Sequence, residues 1–159
     1  KQFRKILLAR RWCGITDRVG SEYNVKELGW NYYMNEFSAV IGLAQLKKLD
    51  KLNNIRKNIA KFYDKQIDVE HKMAFNKDCS YHLYWILVKN RKKFREKMYQ
   101  AGIETGTHYK PIHTMKMYQN RTILPNTEKI GKQIVTIPIH PNLKTFELDK
   151  IVNSINKFI

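Results

Sequence analysis

An amphipathic run near the middle of the chain restricts its fold more than any other feature. Phe37, Val40, Ile41, Ala44, Leu49, Leu52, Ile55, Ile59, Phe62 and Tyr63 recur at steps of three and four, the spacing that lines one face of an α-helix. Lys47, Lys48, Lys51, Arg56, Lys57 and Lys61 fill the other faces. Asn35 stands just ahead, and its short side chain can accept from the first free amides of a helix. The pattern predicts one helix from Glu36 to about Lys65, roughly 45 Å long at 1.5 Å per residue. That exceeds what one small domain needs, so such a helix runs between two domains or packs along a partner subunit.

Around it the elements are shorter. Residues 1–12 look helical, and the opening KQFRKILLARRW reads like the middle of a helix, as in a fragment of a longer protein. Gly14 to Gly29 read as a loop. Tyr81–Val88 (YHLYWILV) is a nearly continuous apolar run and predicts a buried strand. Asn90 caps a helix over 91–101 with Phe94, Met98 and Ala101 facing inward, and Gly102 sits where a helix end favours positive φ. Ile103–Thr107 predicts a short strand and Thr114–Tyr118 a helical turn. Asn126 or Thr127 would cap a helix running to about Ile134, before a strand over Val135–Ile139. Thr145 would cap a last helix whose stripe is Leu148, Ile151, Val152, Ile155 and Phe158. Helices covering one face of a small sheet make a two-layer α+β domain.

Composition narrows the function classes. Thirty Lys and Arg against 14 Asp and Glu leave a formal charge of +16, which draws polyanions. The cations are mostly Lys, spread from Lys1 to Lys157, and neither clustered Arg for base edges nor an aromatic platform for stacking is present. A basic nucleic-acid-binding domain is therefore kept only as an alternative, and phosphorylated small molecules suit the charge better. Cys13 and Cys79 lack CxxC or Cys/His spacing and read as ordinary thiols of a reducing cytoplasm, with no metal site. No apolar run approaches the roughly 20 residues that span a bilayer. Serine-hydrolase, P-loop, zinc-protease and dinucleotide signatures are missing, and no carboxylates are spaced for acid–base work.

Three stretches are not explained by periodicity. Gly29-Trp30-Asn31-Tyr32-Tyr33-Met34-Asn35-Glu36 precedes the long helix, and loop amides at a helix N-terminus suit an anion such as phosphate. Gly102 to His113 gathers Thr105, Thr107, His108, Tyr109, Lys110 and His113, a set of donors for a polar or phosphorylated ligand. His113 alone, beside Ile112 and Met115, reads as structural. Thr136-Ile137-Pro138-Ile139-His140-Pro141 reads as stiff architecture, with His140 a weak ligand candidate.

Taken together these stretches resemble the DegT-type (DegT/DnrJ/StrS) sugar aminotransferases. GWNYYMNEFSAVIGLAQLKKLDKL is similar to that family's G-x-N-x-R-M-(N/S/T)-E-x-x-A-x-x-G-x-x-Q-L segment. The likeness continues through SYHLYWILV, GIETGTHYKPIH, LPNTEKI and TIPIHPNLKTFELDKIVNSI, in the family's order. It implies an aspartate-aminotransferase-like fold (fold type I) and pyridoxal 5'-phosphate (PLP) as cofactor. It also implies a homodimer in which Asn31 reaches the PLP phosphate of the partner subunit. Tyr33 occupies the family's Arg position, where a phenol donates one hydrogen bond but brings no positive charge. His108 and Tyr109 would face the sugar nucleotide.

The resemblance divides the chain into a remnant of the large PLP-binding domain (1–35), a long interdomain helix (36–66) and a small C-terminal α+β domain (67–159). The Schiff-base lysine would lie upstream of Lys1, so no catalytic residue is expected in this chain, and the chain alone would be inactive. The parent enzyme would carry an amino group, from glutamate, to a nucleotide-linked ketosugar in amino-sugar and polysaccharide biosynthesis. A non-catalytic dimerisation or interaction module is the alternative from a different class. Without a large domain and a partner, the helix faces would leave exposed apolar patches that favour self-association.

Overall fold

The computed structural model describes residues 2–118 and 122–159, so Lys1, part of the helix expected over 1–12, lies outside the described residues. The chain divides into two compact units, Lys1–Lys48 and Leu49–Ile159.

The first unit begins with helix α1 (Gln2–Arg11), whose last turn carries Arg10 and Arg11, cations that suit the negative end of a helix. The chain leaves α1 through Cys13 (φ 53°) and Gly14 (φ 75°). Gly14 N–H donates back to the Ala9 carbonyl at 2.9 Å, a left-handed helix stop. The segment expected to be a loop is instead an antiparallel hairpin of β1 (Ile15–Val19) and β2 (Glu22–Val25). Its two-residue Gly20-Ser21 turn places Gly20 at φ 63°, a conformation that matches the twist of paired strands. Strand residues there are mostly exposed, so no apolar alternation announces them.

Helix α2 (Glu36–Leu46) starts as expected, with Asn35 Oδ1 accepting from Ser38 N–H at 2.8 Å. It does not continue to residue 65. The single long helix expected over 36–66 is two helices, α2 and α3 (Leu49–Gln66). At the break Lys48 N–H donates to Gln45 O at 3.0 Å, an i−3 bond that tightens the final turn. The cause is visible in the stripe, since Ala44 to Leu49 is a step of five where a continuous face needs three or four. Phe37, Val40 and Ile41 stand 84%, 65% and 62% exposed, so the expected uncovered apolar face is present on α2.

The second unit is the two-layer α+β part. Strand β3 (Tyr84–Leu87) pairs antiparallel with β4 (Ile134–Ile137), Tyr84 opposite Ile137 and Ile86 opposite Val135. Tyr84 and Ile86 are fully buried while Trp85 and Leu87 are half-buried, the two faces of a pleated strand. Single bridges at Lys72–Ile86 and Gly106–Thr136 flank the pair. Helices α3, α4 (Arg91–Gln100) and α6 (Thr145–Phe158) add to the core through Ile59, Tyr63, Phe94, Met98, Ile151 and Ile155. Asn90 caps α4, its Oδ1 taking Lys93 N–H at 3.1 Å, and Gly102 closes it at φ 73°.

Three further expectations change here. Ile103–Thr107 forms one bridge, Gly106 to Thr136, rather than a strand, because Pro138, two residues along from Thr136, has no N–H with which to extend the ladder. Helix α5 (Pro125–Gln133) is capped by Leu124, not Asn126 or Thr127. Proline at the first helical position needs no N–H and starts the helix earlier. Helix α6 begins at Thr145 itself with Lys144 as the cap residue, and the Glu147 carboxylate accepts Lys144 N–H at 2.8 Å. Short 3-10 turns cover Ile112–Thr114 and Lys116–Tyr118. Among the described residues no helix is long and apolar enough to cross a membrane.

Candidate cofactor and substrate site

In the first unit the loop from Gly29 to Asn35 is strapped to the end of α1. Trp30 N–H donates to Arg10 O at 2.7 Å, Cys13 N–H to Trp30 O at 3.1 Å and Tyr32 N–H to Arg11 O at 2.9 Å. Gly29 permits this, because a Cβ there would lie 2.0 Å from Gly14 N. The strap exposes Asn31 beside the α1 terminus. Its Oδ1 accepts Tyr33 N–H at 3.4 Å, which turns the amide NH2 outward with no protein partner among the described residues. Tyr33 packs edge-on to Trp12 at 5.8 Å between ring centroids. Over the Tyr33 ring, 4.8 Å from its centroid, lies the Arg11 guanidinium. Arg10 is neutralised by Glu27 at 2.9 Å, whereas Arg11 has no carboxylate partner among the described residues.

The terminus of α2 is less suited to an anion than its sequence suggests. The Ser38 amide is consumed by Asn35, and Glu36 puts a negative charge in the first turn. The side-chain donors on this loop and the adjoining end of α1 are the Asn31 amide, the Tyr33 phenol and the Arg11 guanidinium. That set fits a phosphate, which takes several donors and is attracted by a guanidinium.

In the second unit His108 and Tyr109 stand together and exposed, their rings at 84° with centroids 5.0 Å apart. The Thr136 hydroxyl lies 2.7 Å from His108 Nδ1, fixing the ring through one nitrogen and leaving Nε2 outward. Gly106 makes this packing possible, since a Cβ would sit 2.6 Å from His108 Cε1 and 2.7 Å from Thr136 Oγ1. His113 turns away to Glu128, Nε2 to Oε1 at 3.2 Å. The hydrogen bond from His113, and then the Leu124 N–H, hold the Glu128 carboxyl below its usual range. His113 is thus a structural tie, as its setting predicted. His140 is exposed. Among the described residues no group of His, Cys, Asp and Glu could hold a metal ion.

The profile of the DegT/DnrJ/EryC1/StrS aminotransferase family matches residues 2–156. The chain belongs to this family. GDP-perosamine synthase of Escherichia coli O157:H7 is 30% identical over 147 residues, 88% of this chain and 40% of that protein. PseC of Helicobacter pylori, an aminotransferase involved in the biosynthesis of pseudoaminic acid, superposes with a TM-score of 0.90 at 29% identity, covering 99% of this chain and 46% of that one. Spr1654 of Streptococcus pneumoniae, solved in a PLP form, shares the fold with a TM-score of 0.88 at 24% identity, over 99% of this chain and 43% of that one. The chain spans less than half the length of these relatives. PLP dependence goes with the family.

Within this family frame the structure brings together Asn31 with Tyr33, and His108 with Tyr109. Two neighbours escaped the sequence reading. Arg11 was visible only as the second of two arginines ending a helix, and Thr136 only as part of a stiff Pro-rich segment.

Proposed function

We propose that this chain is the C-terminal portion of a cytoplasmic, homodimeric PLP aminotransferase. The whole enzyme moves an amino group from glutamate to a nucleotide-linked ketosugar, for amino-sugar and polysaccharide biosynthesis. The observation that carries the reading is the family match across residues 2–156, joined to a donor cluster of Asn31, Tyr33 and Arg11 that fits a phosphate. The bound cofactor supplies an electron sink for bonds broken at the amine-bearing carbon. Asn31 donates its free amide hydrogens to the phosphate of the PLP held by the partner subunit. The phenol of Tyr33 adds one donor there. His108 and Tyr109 orient the sugar nucleotide, His108 with a ring angle set by Thr136. The Schiff-base lysine belongs to the large domain upstream, and residues 67–159 form the small domain.

The test uses the chain alone and joined with its large domain. Alone, PLP followed by borohydride labels no single lysine, and no transamination occurs. Stoichiometric capture on one of the 22 lysines in residues 1–159 would overturn the reading. In the joined dimer, Asn31→Ala weakens PLP binding by about tenfold or more, the worth of one or two charge-assisted hydrogen bonds. Unchanged PLP affinity would remove Asn31 from the phosphate site.

The exposed face of α2 (Phe37, Val40, Ile41) favours a second reading, a non-catalytic module that dimerises through this helix. Self-association that persists while the joined dimer shows no PLP binding would select it.

A further inference from the structure

We infer that Thr136 makes His108 a hydrogen-bond donor, by holding the imidazole in the tautomer with its hydrogen on Nε2, and that this N–H takes an acceptor oxygen of the sugar nucleotide. The ligand rests on the aminotransferase reading; the tautomer rests on the geometry of the second unit alone. Thr136 is 5% exposed. Among the described residues the one hydrogen-bond partner of its hydroxyl is His108 Nδ1, at 2.7 Å. That contact can run in two directions. If Nδ1 carried the hydrogen and donated it, the threonine O–H would stay buried without an acceptor, which disfavours this form by about tenfold or more. If the hydroxyl donates, the Nδ1 lone pair accepts and both groups are satisfied. Nδ1 is then bare, and a neutral ring carries its hydrogen on Nε2.

The backbone keeps the hydroxyl where this requires it. Thr136 N–H donates to Gly106 O and Gly106 N–H to Thr136 O, both at 2.9 Å, and a β-branched side chain has few χ1 positions to choose from. His108 is exposed and its Nε2 has no partner among the described residues, so the N–H is available to a ligand. The group behind the ring decides what the ring can do. A carboxylate accepts only, so it would demand the hydrogen on Nδ1 and leave Nε2 with a lone pair, the arrangement of a general base. His113 has a carboxylate partner in Glu128; His108 has a buried hydroxyl instead. His108 is therefore built to bind an oxygen, in the diphosphate or on the sugar, and not to take a proton.

Long-range 1H–15N NMR of the 159-residue chain, at a pH of about 8.5 where an ordinary imidazole is neutral, reads the tautomer directly. His108 is assigned by the signals lost in His108→Gln. The expected spectrum has a protonated Nε2 and a bare Nδ1; Thr136→Ser keeps it, and Thr136→Val shifts the Nδ1 resonance because the lone pair loses its donor. A protonated Nδ1, or His108 signals unmoved by Thr136→Val, would overturn the proposal. Calorimetric titration of the dimer joined with its large domain tests the ligand, using UDP- and GDP-linked hexoses. His108→Gln, whose amide NH2 replaces the outward donor, keeps affinity within about threefold, whereas His108→Leu loses about tenfold or more and the acceptor-only His108→Glu at least as much. Equal losses with UDP or GDP alone place the oxygen in the diphosphate, and losses confined to the linked sugars place it on the sugar. Glu binding as tightly as Gln would make the position an acceptor and refute the inference. A joined dimer that binds neither nucleotide sugar overturns the aminotransferase reading and the ligand with it, while the spectrum of the chain alone still decides the tautomer.

Discussion

Two tyrosines in the core should respond in opposite directions to loss of the same oxygen. Tyr63 and Tyr84 are both fully buried, with ring centroids 5.4 Å apart and edge-to-face. The Tyr63 hydroxyl donates to the Pro138 carbonyl at 2.8 Å, whereas the Tyr84 hydroxyl meets no partner among the described residues. A buried hydroxyl without a partner costs about 1–3 kcal/mol, and a made hydrogen bond contributes roughly 0.5–1.5 kcal/mol. Tyr84→Phe keeps the ring contact, removes the unpaired group and stabilises by about 1 kcal/mol or more. Tyr63→Phe strands the Pro138 carbonyl and destabilises by about 1–2 kcal/mol. In thermal melts this separates the two variants by roughly 4–8 °C per kcal/mol for a unit of this size. Urea titration at constant m-value gives the same quantity free of heat-capacity effects. A destabilised Tyr84→Phe, or two shifts of one sign, would refute the reasoning.

The same burial predicts an alkaline limit. Desolvation raises both phenols above their ordinary value of 10.0, so their contribution is whole below pH 10 and lost as pH climbs toward the folded value; the double Phe variant flattens that decline in a pH series of urea melts. Glu128 works from the other side. Its carboxyl is held below the ordinary 4.5 by His113 and Leu124, so its contribution is present above that value and fades as pH falls through the lower folded one. Glu128→Gln flattens this acid limb, measured by pH-dependent melting. Gly106→Ala drives a methyl into His108 and Thr136 and costs about 1–3 kcal/mol, with the His108 ring resonances shifting in NMR spectra; an unshifted His108 would show that the loop relaxes elsewhere.

Elements that bury one face were legible in the sequence, because burial imposes period on the residues. The stripe of α6 (Ile151, Val152, Ile155) and the caps Asn35 and Asn90 stand where pattern and side-chain chemistry place them. The hairpin over 15–25 escaped because its strands are exposed and carry no such period, although the Gly-Ser pair between Val19 and Glu22 was an available signal. The break at Lys47–Lys48 was also available, as a step of five from Ala44 to Leu49. Helix starts at Pro125 and Thr145 were displaced because Pro and Glu compete with nearby Asn and Thr for the capping role.

The candidate site was legible as segments but not as neighbourhoods. In one dimension Tyr33 reads as the loss of a positive charge from an anion-binding loop. In three, the Trp12–Asn31 bridge lays the end of α1 along that loop, and the Arg11 guanidinium rests 4.8 Å from the Tyr33 ring. A cation over a phenol gains about 0.5–1 kcal/mol at an exposed site, enough to bias the orientation of a flexible side chain without burying its charge. The local electrostatics of the loop therefore depend on a backbone strap between residues nineteen positions apart. Thr136 stands in the same relation to His108, setting the histidine's angle from a strand whose sequence carries no sign of a binding role. A motif names the side chains that touch a ligand. The groups that orient them come from whichever strand or helix end the fold brings alongside, which single-sequence spacing does not encode.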